Sequence, residues 1–139
     1  MMSANPTGGS DCQPAIVAPL VRYRDDTHPV GCPYGAAERI VTGGLGGVAN
    51  VHVIRVTRGE PHYHAGYHEV YYVLSGRGHI VLEGETHGLR PGAVVIIPAG
   101  CAHALEADAG EVLEFLIVGS PAMTVDDPRF VPRISIRVP

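Results

Sequence analysis

The chain has 139 residues at 14.7 kDa, the size of one domain, and can bury about two-thirds of its unfolded surface without disulfide staples. Gly 18 and Pro 12 together reach nearly twice their average usage of about 12%, which disfavours long helices and favours strands joined by many turns. All ten basic residues are Arg, which excludes a Schiff-base lysine, a Walker-type phosphate loop and a Ser–Lys dyad, while net charge −4 and pI near 6.0 argue against a nucleic-acid footprint.

Residues 1–14 are small, polar and rich in Gly and Pro, and they read as a disordered tail without the features of a signal peptide. A single domain is expected over 15–139. Cys12, Cys32 and Cys101 are odd in number and lack CxxC spacing, which suits free thiols in a reducing, cytoplasmic setting. The longest apolar run, Ala93 to Ile97, stops at Pro98 and is far too short for a membrane span.

From residue 15 onward, short β-branched runs alternate with turn signals. The runs predict strands over Arg39–Thr42, Val48–Thr57, Glu69–Ser75, Gly78–Glu83, Val94–Ile97, Cys101–Glu106 and Val112–Val118. Between them, Thr42-Gly43-Gly44, Arg58-Gly59-Glu60-Pro61, Ser75-Gly76, Glu83-Gly84-Glu85 and Arg90-Pro91-Gly92 read as turns. Seven short strands spaced this way predict an all-β sandwich or barrel. Near the end, Ile134, Ile136 and Val138 alternate with Arg133, Ser135 and Arg137, the pattern of an edge strand that could also cover a partner chain in a homodimer.

The chemistry concentrates in His62 to Gly76, where three His, one Glu and four of the chain's six Tyr lie together. On an extended segment His62 and His64 project to the same side, and strand parity sends Glu69, Tyr71 and Val73 one way. His68, next to Glu69, should face the other way. Imidazoles with a carboxylate suit a divalent first-row metal. A helical His64–His68 pair is the alternative, against which Gly66 and the β-rich surroundings argue; plain surface histidines beside a turn are another. A second stretch runs from Gly92 through an apolar strand to Pro98, Gly100 and His103. Cys101 is read as a half-buried, inert thiol, and His28, His79 and His87 as solvent-facing.

Together the two stretches resemble the cupin superfamily. His62, His64, Glu69 and Gly76 meet its first motif, G-x5-H-x-H-x3,4-E-x6-G, except that Val56 stands at the leading Gly. Gly92, Pro98, Gly100 and His103 meet its second, G-x5-P-x-G-x2-H-x3-N, except that Ala107 stands at the closing Asn. The resemblance implies a single antiparallel jelly-roll barrel with extra edge strands at the termini. It also implies one divalent transition metal per chain (Fe, Mn, Ni, Zn or Cu) held by His62, His64, Glu69 and His103. Three neutral imidazoles and one carboxylate around a divalent ion leave a +1 site with room for a small-molecule ligand. The expected function is therefore a metal-dependent enzyme, a dioxygenase or a Lewis-acid lyase, isomerase or cyclase, acting on a small polar molecule. The alternative is a non-catalytic binding or sensor module. His52, Tyr63, Tyr71, Val73, Leu105 and Phe115 are candidates for the pocket wall. Some cupin lyases use a Tyr at the place of Tyr71 as a catalytic group, which makes it the catalytic candidate against a purely packing role.

Overall fold

The alternation of buried and exposed side chains along each strand dictates two facing sheets. The computed structural model describes residues 18–32, 35–46 and 48–123. The strands are β1 (Val30–Cys32), β2 (Gly35–Val41), β3 (Asn50–Val56), β4 (Arg58–His62), β5 (His68–Ser75), β6 (Gly78–Leu82), β7 (Glu85–Leu89), β8 (Val94–Ile97), β9 (His103–Ala107) and β10 (Leu113–Ser120). One sheet has the order β1-β2-β3-β10-β5-β8, the other β4-β9-β6-β7. Every pairing is antiparallel. This is an all-β jelly roll, and no ladder joins the edges of its two sheets among the described residues.

Tyr71, Val73, Ile80, Leu105, Leu113, Phe115 and Ile117 are almost fully buried between the sheets and make the central core. Burying side chains of this size contributes about 1.5–3 kcal/mol each, so packing holds the fold. The outer face of the larger sheet is different. Val70, Tyr72, Leu74, Val94, Ile96 and Val118 stay exposed there, so β5 and β8 carry apolar residues on both faces.

The N-terminal flank is tied to this outer face by charge. A 3₁₀ turn at Arg24–Asp26 sets the Arg24 guanidinium 2.6 Å from Glu38 on β2 and 3.0 Å from Glu114 on β10, and Arg55 reaches Glu114 at 3.1 Å. Hydrogen bonds from Arg24 hold both carboxyls below the usual carboxylate range. The guanidinium is partly exposed, so the network orients the flank more than it stabilises the fold.

The structure departs from the sequence expectations at the sheet edges. The segment Arg58-Gly59-Glu60-Pro61, expected as a turn, is most of strand β4. Pro61 is tolerated because β4 is an edge strand, and the ladder to β9 shifts register between Gly59 and His62. Strands β1 and β7 were not foreseen either; four of the five residues of β7 are exposed, so no apolar alternation marks it. Strand β2 begins at Gly35 rather than Arg39, and β9 at His103 rather than Cys101. The turn at Thr42 is realised as a 3₁₀ turn over Gly43–Leu45. The tail at 1–14 and the edge strand and pairing surface expected at Arg133–Val138 lie outside the described residues. Among the described residues no helix is long and apolar enough to cross a membrane.

Gly76 shows how tightly one turn constrains the barrel. It joins β5 to β6 with φ +87°, and a Cβ there would collide with the Val112 carbonyl oxygen. Gly84 has nearly the same φ, +86°, but open space around it. Gly84→Ala should therefore cost only the left-handed strain of about 1–2 kcal/mol, and Gly76→Ala clearly more than that. Urea unfolding midpoints of the two variants check this, and equal losses would contradict it.

Candidate metal centre

Two strand ends and one strand interior bring the site together. His62 is the last residue of β4, His64 follows in the β4–β5 loop, and His103 opens β9 as the register partner of His62. Glu69 and Tyr71 lie on the inner face of β5, as parity predicts. The ring centroids of His62 and His103 are 4.2 Å apart, those of His62 and His64 5.0 Å. One ligand atom from each of the three histidines lies within 4.8 Å of the others. Glu69 Oε2 is 3.6 Å from His64 Nε2 and 3.5 Å from His103 Nε2. All four residues are at least 93% buried.

The backbone sets which nitrogen each ring offers. His62 Nδ1 lies 2.8 Å from the Glu60 carbonyl and His103 Nδ1 2.9 Å from the Cys101 carbonyl. A carbonyl only accepts, so each Nδ1 carries the proton and each Nε2 keeps its lone pair. This outer arrangement orients metal-binding histidines generally. Both ring nitrogens of His64 are buried without a hydrogen-bond partner. Leaving such a group unsatisfied costs about 1–3 kcal/mol, a cost that a coordinated ion would remove.

Desolvation governs the charge states. Burial pushes His64 and His103 down to about 4 and lowers His62 as well, so all three rings are neutral near pH 7. Burial pushes Glu69 up to about 7, against the pull of the Tyr71 hydroxyl. The short His–Glu distances are thus not ion pairs: a buried carboxyl group sits among neutral imidazoles. This donor set fits a divalent cation in charge and type. In size the three histidines are close but not closed: two donors on one ion with bonds near 2.1 Å are at most about 4.2 Å apart, so ligand atoms spread over 4.8 Å would draw together by half an ångström or more on binding an ion.

Tyr71 occupies the floor of the cluster. Its hydroxyl donates to Glu69 Oε2 at 3.0 Å and lies 3.3 Å from His103 Nε2, and its ring packs on Phe115 at 4.8 Å. Among the other residues considered from the sequence, Val73, Leu105 and Phe115 are core, and Tyr63 is half-buried. His68 faces outward as expected, and its Nδ1 accepts from the Ala99 amide at 3.0 Å, steadying the Pro98–Gly100 turn. Cys101 packs against the core with its thiol raised by burial. The two departures from the cupin motifs are absorbed locally. Val56 is a core side chain, and the Ala107 amide donates to the Thr57 carbonyl at 2.8 Å.

Sequence reasoning missed Tyr67 and Asn50. The Tyr67 ring meets His64 edge-on at 5.6 Å, and its hydroxyl, pushed up to about 12 by burial, accepts from Asn50 Nδ2 at 3.1 Å. The Asn50 carbonyl oxygen in turn accepts from the Met123 amide. Gly119, opposite Asn50 and Glu69 in the sheet, leaves room for Tyr67, since a Cβ there would overlap the phenol. The local signal was a glycine on the otherwise apolar inner face of strand β10, a usual mark of close approach.

Comparisons with known proteins agree with this geometry. The family model described as "Cupin domain" matches residues 51–119, which contain His62, His64, Tyr67, Glu69, Tyr71 and His103. An uncharacterised protein of Aquifex aeolicus is 37% identical over 62 residues, 45% of this chain; the chain matches about half the length of that curated relative. A solved structure of a protein from Planctomyces limnophilus superposes with TM-score 0.69 at 27% identity, covering 83% of this chain and 97% of that one. A polyketide cyclase from Streptomyces resistomycificus shares the fold with TM-score 0.62 at 24% identity, covering 78% and 86%. An ectoine synthase from P. lautus shares it with TM-score 0.65 at 18% identity, covering 76% and 80%. With both motifs folded onto one buried cluster inside a jelly roll, the chain belongs to the cupin family.

Proposed function

We propose that this chain is a metal-dependent enzyme acting on a small polar molecule by proton-transfer chemistry: an elimination, an isomerisation or a cyclisation. In this reading one divalent ion is held by His62, His64, His103 and Glu69. The observation that carries it is the buried Tyr71 hydroxyl, within hydrogen-bond reach of both Glu69 and His103. A bound ion would supply Lewis acidity to an oxygen of the substrate. Tyr71 holds a proton at its hydroxyl oxygen and keeps it aimed at the same small volume. A positioned phenol of this kind contributes roughly 10²–10⁴ to a proton-transfer step. Tyr67 and the core residues beneath Tyr71 keep bulk water from the cluster, which strengthens each of these interactions. The polyketide cyclase of like fold supports placing such chemistry on this scaffold, while leaving the substrate open.

Elemental analysis of protein grown with a mixed metal supplement should find one divalent ion per chain. His62→Ala or His103→Ala should remove it and leave the β-sheet signature intact, because packing holds the fold. Unchanged metal in both variants would sink the ligand assignment. Tyr71→Phe should keep the metal and lower turnover of a substrate found by screening by about 100-fold or more. Full activity in that variant, or dioxygen uptake coupled to turnover with Fe(II), would replace the proton-transfer reading with packing or oxygenation.

The charge states give a separate check. At pH 6 His64 and His103, held down to about 4, are already neutral, burial lowers His62 in the same direction, and Glu69, raised to about 7, still carries its proton. Metal binding should therefore release about one proton at pH 6 and almost none at pH 8. Affinity should rise roughly tenfold over that interval and then level off. Competition with a chelator at the two pH values measures it, and Glu69→Gln should flatten the difference. A release of three protons at pH 6 would show the histidines charged and the electrostatic account wrong.

A further inference from the structure

Two nitrogen-bearing side chains on the inner face take no part in the site described so far. Arg39 on β2 and His52 on β3 are register partners, and two residues along the same ladder Ala37 pairs with Ile54 in the core. By strand parity, Arg39 and His52 face the interior too. His52 Nε2 is buried without a hydrogen-bond partner. Arg39 has no hydrogen bond or ion pair among the described residues, because its neighbour Glu38 points to the outer face and is taken by Arg24.

Their place in the sheet relates them to the metal centre. His52 pairs with Ile117 on β10, and Ile117 pairs with Tyr71 on β5. Arg39, His52, Ile117 and Tyr71 thus form one row across the inner face. Two strand spacings, roughly 10 Å, separate the backbones of His52 and Tyr71. Burial, and secondarily the charge of Arg39, hold His52 down to about 4, so it stays a neutral imidazole near pH 7. A guanidinium and a neutral imidazole on paired strands, directed inward by parity and with no partner for Arg39 or for His52 Nε2 among the described residues, offer donors without a counter-charge. A planar carboxylate complements that set, since it accepts the guanidinium fork in two parallel hydrogen bonds.

We propose that Arg39 and His52 form a carboxylate-binding subsite, so that the substrate is an acid whose reacting oxygens lie several bonds from its carboxylate. This rests on the metal-centre reading above, and the test separates the two. Protein loaded with Co(II), its metal content measured first, is titrated by calorimetry with α-ketoglutarate, α-ketoadipate and α-ketovalerate. All three share a chelating end, and only the first two carry a remote carboxylate. The native chain should bind the better of the two diacids at least tenfold more tightly than α-ketovalerate. Arg39→Gln should abolish that preference and leave α-ketovalerate affinity within about twofold. Arg39→Lys, which keeps the charge without the fork, should retain only part of it. Absence of the preference in Co(II)-loaded native chain, or its persistence in Arg39→Gln, overturns the subsite. Should the chain take up no Co(II), the metal reading fails while the subsite is still decided. Glutarate added to the metal-free chain must then shift the His52 ring proton resonances in the native chain and not in Arg39→Gln. No shift in the native chain overturns the proposal.

Discussion

Glu69 is 5% exposed and lies against two neutral imidazoles and a phenol, with no Arg within ion-pair distance among the described residues, and much of the rest of the molecule follows from holding it there. A carboxyl group in such a place resists ionisation, because burial removes its hydration and nothing cationic among the described residues replaces it. The same burial drives the imidazoles to their neutral, ligand-competent form. One physical cause, desolvation inside a β-sandwich, therefore prepares both halves of the donor set in opposite directions.

That preparation needs a rigid wall. The inner row of β5 supplies Glu69, Tyr71 and Val73 by alternation alone, and Phe115 and Ile117 on β10 fix the Tyr71 ring from the neighbouring strand. Two of the histidines come from the other sheet, where β4 and β9 meet at His62 and His103, and His64 comes from the loop that joins β4 to β5. The site thus bridges two sheets that share no ladder, and its geometry depends on how the core spaces them. Two backbone carbonyls, of Glu60 and Cys101, complete the arrangement by fixing the ring tautomers. Because the fold rests on apolar packing, the site is free to carry unsatisfied groups such as His64.

Two irregular strands, the edge strand β4 and the interior strand β10, also trace to the site. Strand β4 tolerates Pro61 and an irregular register because it is an edge strand, and this irregularity delivers His62 inward. Gly119 interrupts the apolar face of β10 so that Tyr67 can close over His64. Local rules of strand composition are broken where the chemistry is, which is where consistency between sequence pattern and fold is expected to fail.

Alternation, turn residues and the two cupin motifs were enough to read from the sequence an all-β jelly roll, most of its central strands, and the inward parity of Glu69 with Tyr71. The strands and their parity are period-two and nearest-neighbour properties, which a linear string carries directly, while the jelly roll followed from the resemblance that the two motifs carry. The edge strands β1, β4 and β7 were not legible, because an exposed edge needs no apolar alternation and because Pro and Gly there mimic a turn. Nor could the string show that His64 is left without a partner, that Glu60 and Cys101 orient their neighbours, or that Asn50 and Tyr67 lie across the site. Those facts depend on residues far apart in the chain meeting at distances of a few ångströms. Arg39 facing the interior belongs with them: its neighbour Glu38 and its partner His52 were visible in the sequence, but only the pairing of β2 with β3 decided which one it would meet.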